Sequence, residues 1–104
     1  MVIKIFKVLE KDFALSKPAF VGSRAAGEVI GELINQAFEN GEKVILDFEG
    51  IDGITLSFGD EIIGIFTRLK GKEFIKENVS LINANENIKT IINIVIRYSS
   101  KAVT

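Results

Sequence analysis

The sequence predicts an α/β fold with a mostly parallel sheet, and three observations carry that prediction. Strand and helix candidates alternate as strand, helix, strand, helix, strand, helix, at a spacing that lets each helix return the chain across a sheet. The best strand candidate holds the unbroken apolar run Val44-Ile45-Leu46, the pattern of a central strand covered on both faces or nearly so. The helix candidates repeat apolar residues three and four apart, which places them on one face. A chain of 104 residues, 47% hydrophobic and 26% charged, is of the usual size and composition for one domain, and a single domain over 1–104 is expected. No internal repeat or low-complexity tract divides it.

Val2 to Leu9 reads as a strand, short and rich in β-branched and aromatic residues. Glu10 to Gly22 has broken patterning and the one proline, Pro18, so it reads as a connection, within which Ala19 to Gly22 can form a short second strand. Ser23 suits an N-cap, its hydroxyl accepting from an orphan amide at the helix start. Ala26, Val29, Ile30, Leu33, Ile34 and Ala37 then recur at helical spacing to about Asn40, and Gly41 supplies the stop. Gly27 and Gly31, one turn apart, cost helix propensity of about 1 kcal/mol each, which a close helix-to-sheet approach would offset.

Lys43 to Phe48 is the central strand, and Glu49 to Gly53 a turn region. Ser57 followed by Asp60 resembles a capping box, opening a helix with an apolar stripe of Phe58, Ile62, Phe66 and Leu69 and an end at Lys70-Gly71. Lys72 to Asn78 has room for one helical turn, and Val79 to Ile82 for a short strand. Asn85 caps a last helix from Glu86 to about Ser99, whose Ile-rich face must be held by packing because its β-branched residues are poor helix formers; an Ile91 to Ile96 strand is the alternative. Lys101 to Thr104 reads as a frayed tail.

Composition excludes several function classes. Cysteine is absent, which removes disulfides, thiol catalysis and thiolate metal sites, and histidine is absent, which removes the usual proton shuttle, the usual zinc ligand and any Ser-His-Asp arrangement. A formal net charge of −1 leaves no overall field toward nucleic acid or an anionic membrane. Lys4 and Lys7 interrupt the apolar start, and no uncharged run approaches the roughly 18 to 20 residues of a membrane span, so neither a signal peptide nor a membrane helix is expected and the cytoplasm is the expected compartment.

Everything is arranged around Gly41 to Lys70, where small polar residues lie between a strand end and the positive end of a helix. Asp47, Asp52, Thr55, Leu56, Ser57, Asp60 and Glu61 are its candidate interaction or ligand-binding residues, with Arg24 from the preceding helix start. Ser57 and Thr55 are the candidate phosphoacceptors, since charge added there would meet helix amides. The plainer reading makes Ser57 a helix cap and Thr55 a local backbone partner. The four carboxylates match no recognisable metal loop, and a solvated turn explains them without an ion or a catalytic acid-base pair, so neither a metal nor another cofactor is expected. Arg24 and Glu28 are spaced to pair on the helix surface. Glu73 and Glu77 dilute Lys70, Lys72 and Lys76, and no phosphate-tracking stripe emerges.

The segments LDFEGIDGIT and LSFGDEIIGIF resemble the signature of the STAS-like domains of unknown function, relatives of the STAS domains and the bacterial anti-anti-sigma factors. Asp47 and Phe48 match the strand ending, Ile54 and Thr55 the following pair, and Ser57, Phe58, Asp60 and Glu61 the serine and helix opening. The SRAAGE segment, Ser23 to Glu28, is similar to the family's first helix start, and the resemblance runs over roughly residues 13 to 98. It implies a mostly parallel sheet of four to five strands, with three to four helices packed mainly on one face, in a protein that binds rather than catalyses. The partner it implies is a histidine-kinase-like ATPase or a regulator controlled by one. In anti-anti-sigma factors such a kinase phosphorylates a serine at the loop-to-helix junction and releases the partner. Here that position is Leu56, which has no hydroxyl, leaving Ser57 or Thr55 as substitutes or a constitutive docking surface; Gly59 stands where the family often has alanine. The alternative is a nucleotide or phosphate ligand held by the helix amides near Ser57. An acidic hydrolase and a structural oligomer are more distant rivals.

Overall fold

The structure, a computed structural model, describes residues 1–101, so all but the first residue of the expected frayed tail lies outside it. In chain order the elements are β1 Val2–Lys4, α1 Ile5–Leu9, β2 Ala19–Val21, α2 Arg24–Glu39, β3 Val44–Asp47, β4 Ile51–Ile54 and α3 Leu56–Gly59. A π-helical turn, Asp60–Gly64, leads from α3 without a break into α4 Ile65–Lys70, followed by α5 Lys72–Asn78, β5 Val79–Ile82 and α6 Glu86–Lys101.

The strands form two parallel patches, β1-β3-β5 and β2-β4, rather than one continuous sheet. In the first, Ile3 pairs with Leu46 and Leu46 with Leu81, which stacks apolar positions in register. In the second, Ala19 donates to Gly50 at 2.9 Å and Thr55 to Val21 at 3.2 Å. The Glu49 to Gly53 stretch is therefore a turn at its start only. Gly50, at φ 82°, lets the chain reverse directly into β4.

The first expected strand is shorter than its composition implies, because the chain coils into α1 after Lys4. Ile5, Phe6 and Leu9 are all buried, and only a helical turn brings those three positions to one side. The N-terminal ammonium donates to the Lys43 carbonyl at 2.7 Å and ties β1 to β3. The ends of α2 and the start of α6 follow the sequence reading, whereas Lys72–Asn78 forms about two turns of helix rather than one. Ser23 accepts from the Ala26 amide at 3.1 Å and caps α2, and Gly41 at φ 72° ends it. Asn85 accepts from Ile88 at 2.9 Å, and residues 91–96 are helical within α6.

Phe48, Phe58, Ile5, Leu9, Ile30 and Leu46 are wholly buried in one core. Phe38 meets Phe66 and Phe74 edge-to-face, with centroids 5.5 and 5.1 Å apart, and closes the core beneath α4 and α5. The α3–π–α4 helix lies between α2 and α6, and glycines permit both contacts. A Cβ on Gly27 would lie 2.6 Å from Glu61 Cβ, and one on Gly31 3.0 Å from the Glu61 carbonyl oxygen. The two glycines of α2 thus admit the π-turn, not the sheet. On the other flank, a Cβ on Gly59 would stand 3.1 Å from Val95 Cγ2, and one on Gly64 2.9 Å from Val95 Cγ1.

The π-turn also resets the apolar stripe. A widened turn holds one more residue than an α-turn, so residues beyond it rotate relative to an unbroken helical wheel. Phe58, Ile62 and Phe66 are buried as expected, but Leu69 is 72% exposed, and Thr67 is buried with its hydroxyl donating to the Ile63 carbonyl at 2.9 Å.

Candidate functional site

The junction between β4 and α3 is built by Thr55. Its extended backbone, at ψ 166°, leaves the strand, and its Oγ1 accepts from the Phe58 amide at 3.1 Å. The same hydroxyl donates to the Gly22 carbonyl at 2.8 Å, bonding the end of β4 to the segment that opens α2. Thr55, not Ser57, is therefore the cap. The local reason is register: Thr55 is the last extended residue, and a cap must stand outside the helix to reach its third amide. Ser57 is left within the first turn, half-buried, its hydroxyl without a hydrogen-bond partner among the described residues.

A groove of 260 Å³ opens beside this turn, lined by Arg24 from α2, Leu56, Ser57 and Asp60 from the helix start, Arg68 from α4, and Val95, Tyr98 and Ser99 from α6. Its floor is an ion-pair chain. Arg24 Nη1 donates to Glu61 at 2.9 Å and to Asp60 at 3.4 Å, while Arg68 donates to Asp60 at 2.8 and 3.3 Å and to Ser99 Oγ at 3.0 Å. The Arg68 guanidinium, with Arg24 behind it, holds the Asp60 carboxyl below its ordinary range against the opposing effect of desolvation. Arg24 pairs across the helices, so the expected Arg24–Glu28 surface pair is not formed. A contact to the π-turn carboxylates is available to it because Gly27 lets that turn come close.

Of the candidate residues, Thr55, Leu56, Ser57, Asp60, Glu61 and Arg24 gather around this groove. Asp47 and Asp52 do not. Asp47 is buried at the end of β3, where its Oδ1 accepts from Asn83 Nδ2 at 2.9 Å and from the Glu49 amide at 3.0 Å. Those two donors lower its pKa from the ordinary aspartate value, and its role is to tie the β3 turn to the end of β5. Asp52 is exposed on β4, and its carbonyl takes a 2.8 Å bond from Asn85.

Arg68, Tyr98 and Ser99 were not legible as members of the site. Arg68 reaches Asp60 across the π-turn, which no propensity announces, and Tyr98 arrives from an element 38 residues farther on than Asp60. The uneven exposure of the rim is informative: Leu56 is 53% and Tyr98 69% exposed, large apolar surfaces on either side of fixed charges. Among the described residues no group of three or more His, Cys, Asp or Glu is placed to hold a metal ion, and no helix is long and apolar enough to cross a membrane.

Comparison with known proteins finds a family match. The STAS-like domain of unknown function (DUF4325) matches residues 25–89, more than half of the chain, spanning α2, the capped junction, the π-turn and the start of α6. No curated protein and no solved structure matches the chain. STAS-like domains are non-catalytic and serve signalling and protein interaction, which suits a site built from an apolar rim and paired charges. By its sequence match and its parallel α/β architecture, this chain belongs to the STAS-like domain of unknown function family.

Proposed function

We propose that this domain docks a protein partner on the groove bounded by the start of α3, the start of α2 and the end of α6, with Ser57 as the hydroxyl at which that docking is regulated. The exposure of Leu56 and Tyr98 around an ordered ion-pair floor carries the reading: apolar side chains on a fixed charged platform are what a protein interface desolvates. The partner is a histidine-kinase-like ATPase or a regulator controlled by one. Leu56 stands where the related anti-anti-sigma factors carry the phosphorylated serine, and it contributes apolar contact there instead.

Ser57 favours regulation over capping because its hydroxyl has no competing bond, whereas Thr55 would have to surrender both of its own. A phosphate on Ser57 would stand in the first turn of a helix, where the dipole favours negative charge, in the same groove as Arg24 and Arg68.

The test is quantitative mass spectrometry of the native protein captured from its source cells, beside a Leu56→Asp variant, reading partners and phosphate at Thr55 and Ser57 together. A stoichiometric ATPase-type partner lost in the variant, with phosphate on Ser57 alone, is the expected result. A set of partners indifferent to Leu56→Asp would overturn the docking surface, and phosphate on Thr55 instead would overturn the choice of Ser57.

A further inference from the structure

The opposite flank of α6 carries a second groove with a different chemistry. α5 and α6 border a groove of about 580 Å³ lined by Lys72, Lys76, Asn93, Ile96, Arg97, Ser100 and Lys101, four cations with no Asp or Glu among the described lining residues. In sequence these charges look diluted, because Glu73 and Glu77 follow the two α5 lysines directly. The helical period separates them: Lys72 and Lys76 share one face one turn apart, as Arg97 and Lys101 do on α6, and neither glutamate lines the groove. A chain of formal net charge −1 thus concentrates four positive groups in one concavity.

The floor is apolar. Ile96, Asn93 and Lys76 also border an adjoining recess of 260 Å³ walled by Ile75, Val79, Leu81 and Ile92. Of the four cations, Lys76 borders both the groove and the aliphatic recess.

We infer that this groove docks an acidic peptide segment of a partner protein, one that carries aliphatic side chains between its carboxylates. Charge complementarity sets the sign of the occupant, and the aliphatic recess gives its apolar residues a place to bury. A nucleic acid fits less well, because no aromatic ring among the described residues lines the groove to stack a base. A membrane surface fits less well because the cations border a concavity between two helices. The surface is separate from the Leu56 groove: α6 turns Val95, Tyr98 and Ser99 toward that one, and Asn93, Ile96, Arg97 and Ser100 toward this one.

Fluorescence anisotropy with the full chain tests it, using a fluorescein-labelled peptide that carries a leucine pair between runs of glutamate. Lys76→Glu and Arg97→Glu are both expected to weaken binding about tenfold or more and to flatten its salt dependence. Unchanged thermal melts, expected for exposed positions, would exclude misfolding, and Lys72→Glu serves if either variant melts early. Leu56→Asp is expected to bind the peptide as the parent chain does, which separates this surface from the proposed docking groove. The inference is overturned by any of three results: no saturable binding, equal binding of the same peptide with glutamine for glutamate, or tighter binding of a single-stranded oligonucleotide or phosphatidylserine vesicles.

Discussion

Two neighbouring hydroxyls at the head of α3 have opposite structural duties. Thr55 makes two bonds, one that caps the helix and one that reaches Gly22, 33 residues away, whereas Ser57 makes none among the described residues. Thr55→Ala is therefore expected to cost about 1 to 2 kcal/mol in urea unfolding, and Ser57→Ala less than about 0.5 kcal/mol. Equal costs would mean that the cap is shared. The buried Asp47 is one of two aspartates, with Asp60, through which acid acts on stability. Asn83 and the Glu49 amide favour its charged form, so its folded pKa lies below the ordinary 3.8. The stabilisation is complete above that ordinary value and is lost as pH falls through the folded one. Stability should be level at neutral pH and decline below about pH 4, and Asp47→Asn should make that decline shallower, since Asp60 alone among the two lowered aspartates would remain. Unfolding curves between neutral and strongly acidic pH measure this directly.

At the scale of elements, the π-turn governs which side chains face where. It brings Glu61 against Gly27 and Gly31, aims Asp60 between two arginines, and turns Leu69 out of the core. On an unbroken helical wheel Leu69 would belong with Phe66. In the structure Leu69→Gln should change stability by no more than about 0.5 kcal/mol, while Phe66→Ala should cost about 3 to 5 kcal/mol in the same denaturant series. Gly27→Ala tests the helix contact itself. Alanine gains about 1 kcal/mol of helix propensity over glycine. Its Cβ, however, would lie 2.6 Å from Glu61 Cβ, a distance no packed pair tolerates, so α2 and the π-turn must separate. A net loss of about 1 to 3 kcal/mol is expected despite the better helix former, and a stabilised variant would refute the contact.

For the molecule as a whole, α6 is a partition. One flank meets the helix that follows Thr55 and completes the Leu56 groove, and the other meets α5 and completes the basic one. Sites on opposite flanks with no shared residue should behave additively. Capture of the partner proposed for the Leu56 groove should be lost in Leu56→Asp and retained in Arg97→Glu, while the acidic-peptide anisotropy shows the reverse. Loss of both activities in either variant, with the melt unchanged, would mean that one continuous interface spans the helix.

Much of the architecture was already legible in local chemistry. β-branched runs marked β3 and β5, Ser23 and Asn85 marked their helices through side-chain caps, and Gly41 marked an end, because each is decided by a residue's own backbone and its nearest amides. The family signature over Asp47 to Phe66 likewise led to the junction that Thr55 builds. Choices set by distant partners were hidden. Strand or helix at Ile5 depended on the buried side it had to fill, and the cap fell to Thr55 rather than to the expected Ser57, its hydroxyl held by a carbonyl 33 residues earlier. Arg24 had a plausible partner in its own helix, yet paired with carboxylates that only the glycine contact and the π-turn bring within reach. Local sequence determined where the chain forms strands and helices over most of its length. Tertiary packing decided the helix phase, the charge pairs and the groove, because those depend on how closely two surfaces approach, and that distance is a property of neither surface alone.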